Sequence, residues 1–213
     1  MDIKQRIVRR MVRQGHHPTG VGGHLTGWMM GRRSSNVARN RWAVELLDIQ
    51  PTDRVIEIGC GPGVAIAALA ARASRGLVVG VDHSAVVLGQ AARRNKAAIT
   101  AGRVRLIRTS VVHLPVTGEP FDAALAVNTV GMWPDPAARL SELRQQLRPG
   151  GRIALVSQPR CPGATAATTA AAADELTALL TKAGYEQLRV EILDLNPPVA
   201  CVLATRPTDT DRG

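Results

Sequence analysis

The chain has 213 residues, a length typical of a single domain with a full hydrophobic core. Hydrophobic residues make up 45% of it and aromatic residues only 2%, so the core must consist of aliphatic side chains. Three widely spaced cysteines without a CxxC pair argue against a disulfide framework and a zinc site, and we predict no metal site. No apolar run approaches the roughly 18 residues of a membrane helix, and none follows the N-terminal charges as in a secretory signal. We therefore expect a cytoplasmic protein.

The net charge of +10 is unevenly distributed. Residues 1–48 carry nine Lys or Arg against three Asp or Glu, an excess of six, and the other 165 residues carry the remaining excess of four. Such a basic extension can contact phosphate or a membrane surface, or it can serve only as a solubilising arm.

The first 35 residues are predicted to form a segment of their own. Residues 3–13 place apolar side chains at helical spacing between arginines. This short basic helix could dock on the body, on an anionic surface or on a second subunit in a homodimer. Residues 15–31 hold six glycines and are predicted to be a loop or a lid. We expect the main domain to span 36–206 and a flexible tail to span 207–213.

Strands and helices alternate through the main domain after an N-capped helix from Ser34 or Ser35 to about Leu47. The predicted strands are 55–58, 77–82, 104–108, 123–128, 152–157, 188–193 and 199–205. The predicted helices that follow are 64–73, 84–98, 136–147 and 174–183, and residues 161–173 are left unassigned. This order predicts an α/β fold, a doubly wound and mostly parallel sheet of seven strands with helices on both faces. A short connection before the last strand predicts that this strand is antiparallel.

The first predicted strand leads into a glycine turn in the stretch RVIEIGCGPG, residues 54–63. Glycines between a strand and a helix let a ligand approach the backbone and the helix N-terminus. The spacing excludes the dinucleotide motif G-x-G-x-x-G, because Val64 stands where its third glycine belongs, and no lysine follows as in a phosphate-binding loop. Glu57 instead favours a cationic or amino-bearing ligand, and Asp82 at the end of the second strand can accept hydrogen bonds from a ribose diol.

These motifs, together with the later FDAALAVNTVGMWPDP and LRPGGRIALVSQ, resemble the class I S-adenosylmethionine-dependent methyltransferases. The resemblance covers about residues 36–205 and is closest to the small-molecule "methyltransferase 11" type. It implies a Rossmann-like methyltransferase fold with an N-terminal helical lid. It also implies S-adenosyl-L-methionine as cofactor, S-adenosyl-L-homocysteine as product and a small-molecule methyl acceptor.

The resemblance assigns the cofactor site residue by residue. Ser110 departs from the family pattern, because an acidic residue often stands after the third strand to bind the adenine amino group. The implied set is Gly59, Cys60, Gly61 and Gly63 along the methionine and ribose, Glu57 at the amino-acid end, Asp82 on the ribose hydroxyls, His83, Ser110 and Val111 near the adenine, and Asn128 facing the sulfonium and the substrate.

Methyl transfer from a sulfonium is a direct displacement, which needs a base only if the acceptor must lose a proton. His24 in the predicted lid and His113 after the third strand are the candidate bases. Gly131 and Met132 stand where the family often has a histidine pair, which leaves a more apolar pocket. Trp28, Met132 and Trp133 could line a site for an apolar or aromatic acceptor, or they could belong to the core.

The residues leave two other functions open. A nucleic-acid-directed methyltransferase could use the basic N-terminal arm, but the chain has only one Tyr and one Phe for base stacking, which disfavours a nucleic-acid partner. A protein that binds S-adenosylmethionine without catalysing transfer is the other alternative, because Ser110 and Gly131 replace familiar family residues.

Overall fold

The computed structural model describes residues 34–116 and 118–208. The predicted N-terminal helix, the whole predicted lid with His24 and Trp28, and the end of the tail lie outside the described residues. The strands are β1 (Arg54–Ile58), β2 (Leu77–Asp82), β3 (Val104–Arg108), β4 (Phe121–Val127), β5 (Leu147–Ser157), β6 (Glu186–Leu193) and β7 (Val199–Thr205). The helices are α1 (Ser34–Leu46), α2 (Val64–Arg72), α3 (Ala85–Arg94), α4 (Lys96–Thr100), α5 (Pro136–Gln146) and α6 (Ala166–Lys182), with 3₁₀ turns at Val111–His113 and Val130–Met132.

The seven strands form one sheet in the order β3-β2-β1-β4-β5-β7-β6. The pairs among β1 to β5 are parallel, and β7 is antiparallel to both β5 and β6. The predicted doubly wound sheet with one antiparallel strand is therefore confirmed. The strand order reverses between β1 and β4, and a crevice for a ligand is expected at their carboxyl ends.

Helices cover both faces of the sheet, and β1 is buried between them. Ile56 and Ile58 point to the layer of α5 and α6, where they join a core that includes Leu140 and Leu180. Val55 points to the layer of α1 and α2. Because side chains alternate along a strand, Glu57 lies on the same face as Val55 and is enclosed beneath α2.

The helix predicted over 84–98 is two helices, because Asn95 interrupts it. Asn95 leaves the helical conformation with φ −106° and ψ 18°. Its buried side-chain amide donates to Ala91 O (2.9 Å) and to Gly63 O in the glycine turn (3.1 Å). An asparagine side chain that bonds to the backbone competes with the helical ladder, and here it ties α3 to the turn.

The unassigned residues 161–173 contain the first half of α6. A capping box between Thr165 and Thr168 begins the helix, and Ala-rich sequence, which has the highest helix propensity, continues it. None of the helices within the described ranges is both long and apolar enough to cross a membrane.

Candidate functional site

The glycine turn after β1 is locked against the loop after β4. Gly59 has φ +72°, and a Cβ at this position would overlap the Thr129 side chain. Thr129 Oγ1 donates a hydrogen bond to Ile58 O (3.1 Å). Gly61 also has a positive φ of +52°, but a Cβ there would meet none of the described residues within 4 Å. The turn thus presents the backbone of Gly61 to open space, as a site for a close ligand requires.

The turn offers no cradle for a phosphate. Its amides donate within the protein, from Gly59 and Cys60 to Val81 O (2.9 and 3.0 Å), from Gly61 to Asp82 Oδ2 (2.9 Å) and from Gly63 to Cys60 O (3.0 Å). The remaining residue, Pro62, has no amide hydrogen. Phosphate-binding turns need several amides that point at the ligand, so this turn suits a ligand without phosphate groups.

Asp82 at the end of β2 can still accept hydrogen bonds from a ligand. Its Oδ2 accepts the Gly61 amide and its Oδ1 accepts the Ser84 amide, both at 2.9 Å. Each carboxylate oxygen has a second lone pair, so two hydroxyls of a ribose can still donate to this group. The Nδ1 atom of His83 lies 3.7 Å from Asp82 Oδ1, and the His83 side chain is about half exposed.

Glu57 is a buried acid with an unused oxygen. It is 2% exposed, and its Oε2 has no hydrogen-bond partner among the described residues. Burial, and secondarily the charge of Asp82, raise its pKa to about 8, although the Ile66 amide donates to the carboxylate. A buried acceptor without a partner is costly, and an ammonium donor from a ligand would relieve that cost.

Arg39 on α1 is a site residue that the sequence reasoning missed. It is 4% exposed, and it forms no ion pair with an acid in the described part of the chain. Its Nη1 donates to Gln158 Oε1 (2.7 Å), its Nη2 donates to Asn36 Oδ1, and its Nε has no partner among residues 34–116 and 118–208. Burial and the charge of Arg160 lower its pKa to about 9, so it remains a cation at neutral pH.

The sequence did contain a signal for this polar face. Asn36, Arg39 and Asn40 stand at positions i, i+3 and i+4 of α1, in line with the buried Ala43 and Leu47. Polar residues in such positions are enclosed by the fold and must find partners there.

Asn128, at the end of β4, is hydrogen-bonded to the end of β5. Its Oδ1 accepts the Gln158 amide (2.7 Å) and its Nδ2 donates to Gln158 O (3.3 Å), with a backbone φ of +56°. Both ends of the side-chain amide are therefore engaged. Its Oδ1 atom keeps a second lone pair, and the predicted contact of Asn128 with the sulfonium stays a prediction.

Other predicted residues lie along the same edge of the sheet. Ser110 Oγ accepts the Val112 amide (3.3 Å) and begins the 3₁₀ turn in which Val111 packs on the core and His113 is exposed. Cys60 is buried, and burial raises the pKa of its thiol well above the ordinary value. Since its Sγ packs towards Gly80 of β2, Cys60 can meet a ligand only through its backbone.

The predicted acceptor residues separate into two environments. Met132 is 44% exposed on the 3₁₀ turn after β4. Trp133 is only 9% exposed and packs in the core with Val130. The packing suits Trp133 as a support for the loop, while the predicted contact of Met132 with an acceptor stays a prediction.

The strand order and the turn, whose amides are used within the protein, fit a class of protein that binds a ligand without phosphate groups at the carboxyl edge of the sheet. Residues 55–151 match a family model described as a methyltransferase domain. The chain is 28% identical to the uncharacterized methyltransferase YdaC of Bacillus subtilis, over 86% of this chain and 98% of that protein. It is 33% identical to a 2-phytyl-1,4-naphtoquinone methyltransferase of Synechococcus elongatus, over 56% of this chain and 52% of that protein.

A solved structure shares the fold. A SAM-dependent methyltransferase from Aquifex aeolicus superposes with a TM-score of 0.69 at 17% identity, covering 86% of this chain and 98% of that one. Residues 55–151 thus match a methyltransferase domain, and the family model, the relatives and the shared fold agree with a class I S-adenosylmethionine-dependent methyltransferase whose cofactor is S-adenosyl-L-methionine, as the motifs predicted.

Proposed function

We propose that this protein transfers a methyl group from S-adenosylmethionine to an O, N or S atom of a small apolar or aromatic molecule. One observation carries the assignment of the cofactor contacts. Among the residues that the structure describes, the carboxyl edge of the sheet holds a buried acid with an unused oxygen, a buried cation without an acid, and a carboxylate with spare lone pairs. These three groups match the ammonium, the carboxylate and the ribose diol of the cofactor.

In this arrangement each residue binds a different group of the cofactor. Glu57 accepts from the ammonium, Arg39 pairs with the carboxylate of the amino-acid end, and Asp82 accepts from the ribose hydroxyls. A charged hydrogen bond in an enclosed site is stronger than one in water, so the three contacts together fix the cofactor along the turn.

The protein accelerates such a displacement mainly by position. The cofactor, when bound, supplies the electrophilic methyl group. The chain orients the cofactor, aligns the acceptor and excludes water, and proximity of this kind supplies most of the rate enhancement. His113 is exposed in the 3₁₀ turn after β3 and His24 lies in the predicted lid, and each is proposed as a base only for an acceptor that must lose a proton.

Two observations support an apolar or aromatic acceptor. Met132 exposes a flexible apolar side chain on the loop after β4. The Synechococcus relative is named for a naphthoquinone substrate, although this chain spans about half of that protein's length. The cytoplasmic location and the homodimer through the N-terminal helix stay predictions.

A nucleic-acid acceptor is the second candidate, because basic residues are concentrated at one end of the body. Between Arg72 and Arg108 the chain has eight Lys or Arg and a single acid, Asp82. Seven of these eight are exposed, on α2, α3, α4, the turn after α2 and the edge strand β3. Retention on RNA that weakens steeply with salt would favour this candidate, since phosphate contacts release counterions.

The proposed activity is tested by a methyl-donor assay. The protein is incubated with labelled S-adenosylmethionine and, in parallel, with a small-molecule metabolite extract or with total RNA. Label transferred to an organic-soluble small molecule supports the proposal. Label transferred only to RNA would replace it with the second candidate, and no transfer to either with intact cofactor binding would indicate a binding protein without transferase activity.

A further inference from the structure

Gln158 is a buried residue at the end of β5 that contacts three other parts of the fold. It is 5% exposed. Its Oε1 accepts from Arg39 Nη1 (2.7 Å) on α1, and its Nε2 donates to Pro197 O (2.9 Å) in the connection between β6 and β7. Its backbone is held at both polar atoms by Asn128. Only one orientation of the amide gives an acceptor to the guanidinium and a donor to the carbonyl, so its position is specified from both sides.

A neutral amide orients Arg39 without cancelling its charge. The two side-chain acceptors of the guanidinium, Gln158 and Asn36, are both uncharged amides. A carboxylate in either place would form an internal ion pair and leave less attraction for an anionic ligand. The amides therefore hold the cation in place and keep its charge for the cofactor.

The same side chain reaches the connection between β6 and β7. Thr169 of α6 holds this connection from the other side, through a hydrogen bond from its Oγ1 to Pro198 O (3.0 Å). A displacement of Arg39 would therefore reach residues 194–198 through the side chain of Gln158, whereas the hydrogen bond of Thr169 to the same connection does not involve Arg39.

We propose that Gln158 is a positioning residue, which aims the Arg39 guanidinium at the cofactor carboxylate and couples occupancy of that subsite to the β6–β7 connection. The inference rests on the proposed role of Arg39 in the cofactor site. It assigns no direct contact between Gln158 and the cofactor or the acceptor.

The test compares two ligands that differ only in the carboxylate, S-adenosylhomocysteine and its decarboxylated amine analogue. Gln158→Met should lower the affinity for S-adenosylhomocysteine about tenfold and the affinity for the analogue by less than about twofold. Only the carboxylate depends on the orientation of the guanidinium. Gln158→Glu is nearly isosteric, and its carboxylate should pair with Arg39. It should therefore lower the affinity for S-adenosylhomocysteine further. Thr169→Val is the matched control and should leave the ratio of the two affinities unchanged.

A second measurement follows the coupling itself. Hydrogen exchange of the amides of 194–196 should slow when S-adenosylhomocysteine binds to the wild-type protein and should not respond in Gln158→Met. If Gln158 had a purely structural role, its substitution would change the amide exchange rates equally with and without ligand. It would also lower the affinities for both ligands equally in both Gln158 variants. Either result overturns the proposal.

Arg39→Met separates the inference from its premise. If Arg39→Met abolishes discrimination between the two ligands and the Gln158 variants do not alter it, only the role of Gln158 is wrong. If Arg39→Met also leaves discrimination intact, the Arg39 assignment fails and the inference fails with it.

Discussion

Two residues at the carboxyl edge of this sheet, Glu57 and Arg39, have environments that lower the stability of the fold. Within the described part of the chain, Glu57 is an enclosed acid with one oxygen that accepts no hydrogen bond, and Arg39 is an enclosed cation that pairs with no acid. Both cost free energy in the unliganded protein. The cofactor has a group of the opposite charge for each, so its binding should relieve both costs.

The raised pKa of Glu57 predicts proton release on cofactor binding. With a pKa of about 8 the acid is mainly protonated at pH 7 in the free protein, and an adjacent ammonium favours the carboxylate. Titration calorimetry at pH 7 in buffers of different ionisation enthalpy should show release of up to about one proton per cofactor. The release should be absent in Glu57→Gln, and an equal release from this variant would contradict the assignment.

The same pKa predicts how stability depends on pH without the cofactor. The folded pKa lies above the ordinary value of 4.5, so the contribution of Glu57 to stability is most favourable below about 4.5 and is lost as the pH rises through 8. Unfolding in urea should therefore show the wild-type protein losing stability relative to Glu57→Gln between these two values. A constant difference across this range would mean that Glu57 is not buried in this way.

Two glycines of the turn should respond differently to substitution by alanine. In Gly59→Ala the added Cβ would overlap the Thr129 side chain at a backbone φ of +72°. We expect this substitution to lower the free energy of unfolding by about 2–4 kcal/mol. Gly61→Ala has φ +52° in open space and should cost about 1–2 kcal/mol, while its methyl group enters the crevice and weakens cofactor binding.

The added change Thr129→Ser removes the overlapping methyl group and provides a control for Gly59→Ala. The double variant should recover part of the lost stability, as measured by urea unfolding. No recovery would mean that the clash with Thr129 is not the cause.

At the scale of the elements, the sequence predicted strands better than helix ends. β2, β3 and β7 have the bounds that were predicted, because apolar runs between turn residues define a buried strand well. The start of α6 was missed, since it depends on two threonines that bond to each other's backbone. The break at Asn95 was missed because its amide bonds to Gly63, 32 residues away, a contact that local sequence does not reveal.

The cap at Thr165 should contribute measurably to the stability of α6. Thr165→Ala removes the side-chain acceptor for the Thr168 amide and should cost about 1 kcal/mol of unfolding free energy. Thr181→Ala is the control, since Thr181 is an exposed residue near the other end of the same helix, where no such amide is left unpaired. Equal effects of the two substitutions in thermal unfolding would argue against the capping box.

At the scale of the whole molecule, the site is assembled from distant segments. Arg39, Glu57, Asp82 and Gln158 come from α1, β1, β2 and the end of β5, and meet because parallel strands end at one edge of the sheet. The motif of residues 54–63 and Asp82 were readable from the sequence, because they lie on two strands with a known relation. Arg39 and Gln158 were not, because their roles depend on contacts across 119 residues of sequence.

The central claim is that the turn, Asp82, Glu57 and Arg39 together bind S-adenosylmethionine. The most direct measurement is calorimetric titration of the wild-type protein and of Asp82→Ala with S-adenosylmethionine and S-adenosylhomocysteine. We predict one binding site for both ligands, and a loss of about 1–3 kcal/mol of binding free energy in Asp82→Ala from the ribose hydrogen bonds. No binding to the wild-type protein at millimolar ligand, or an unchanged affinity of the variant, would contradict the account.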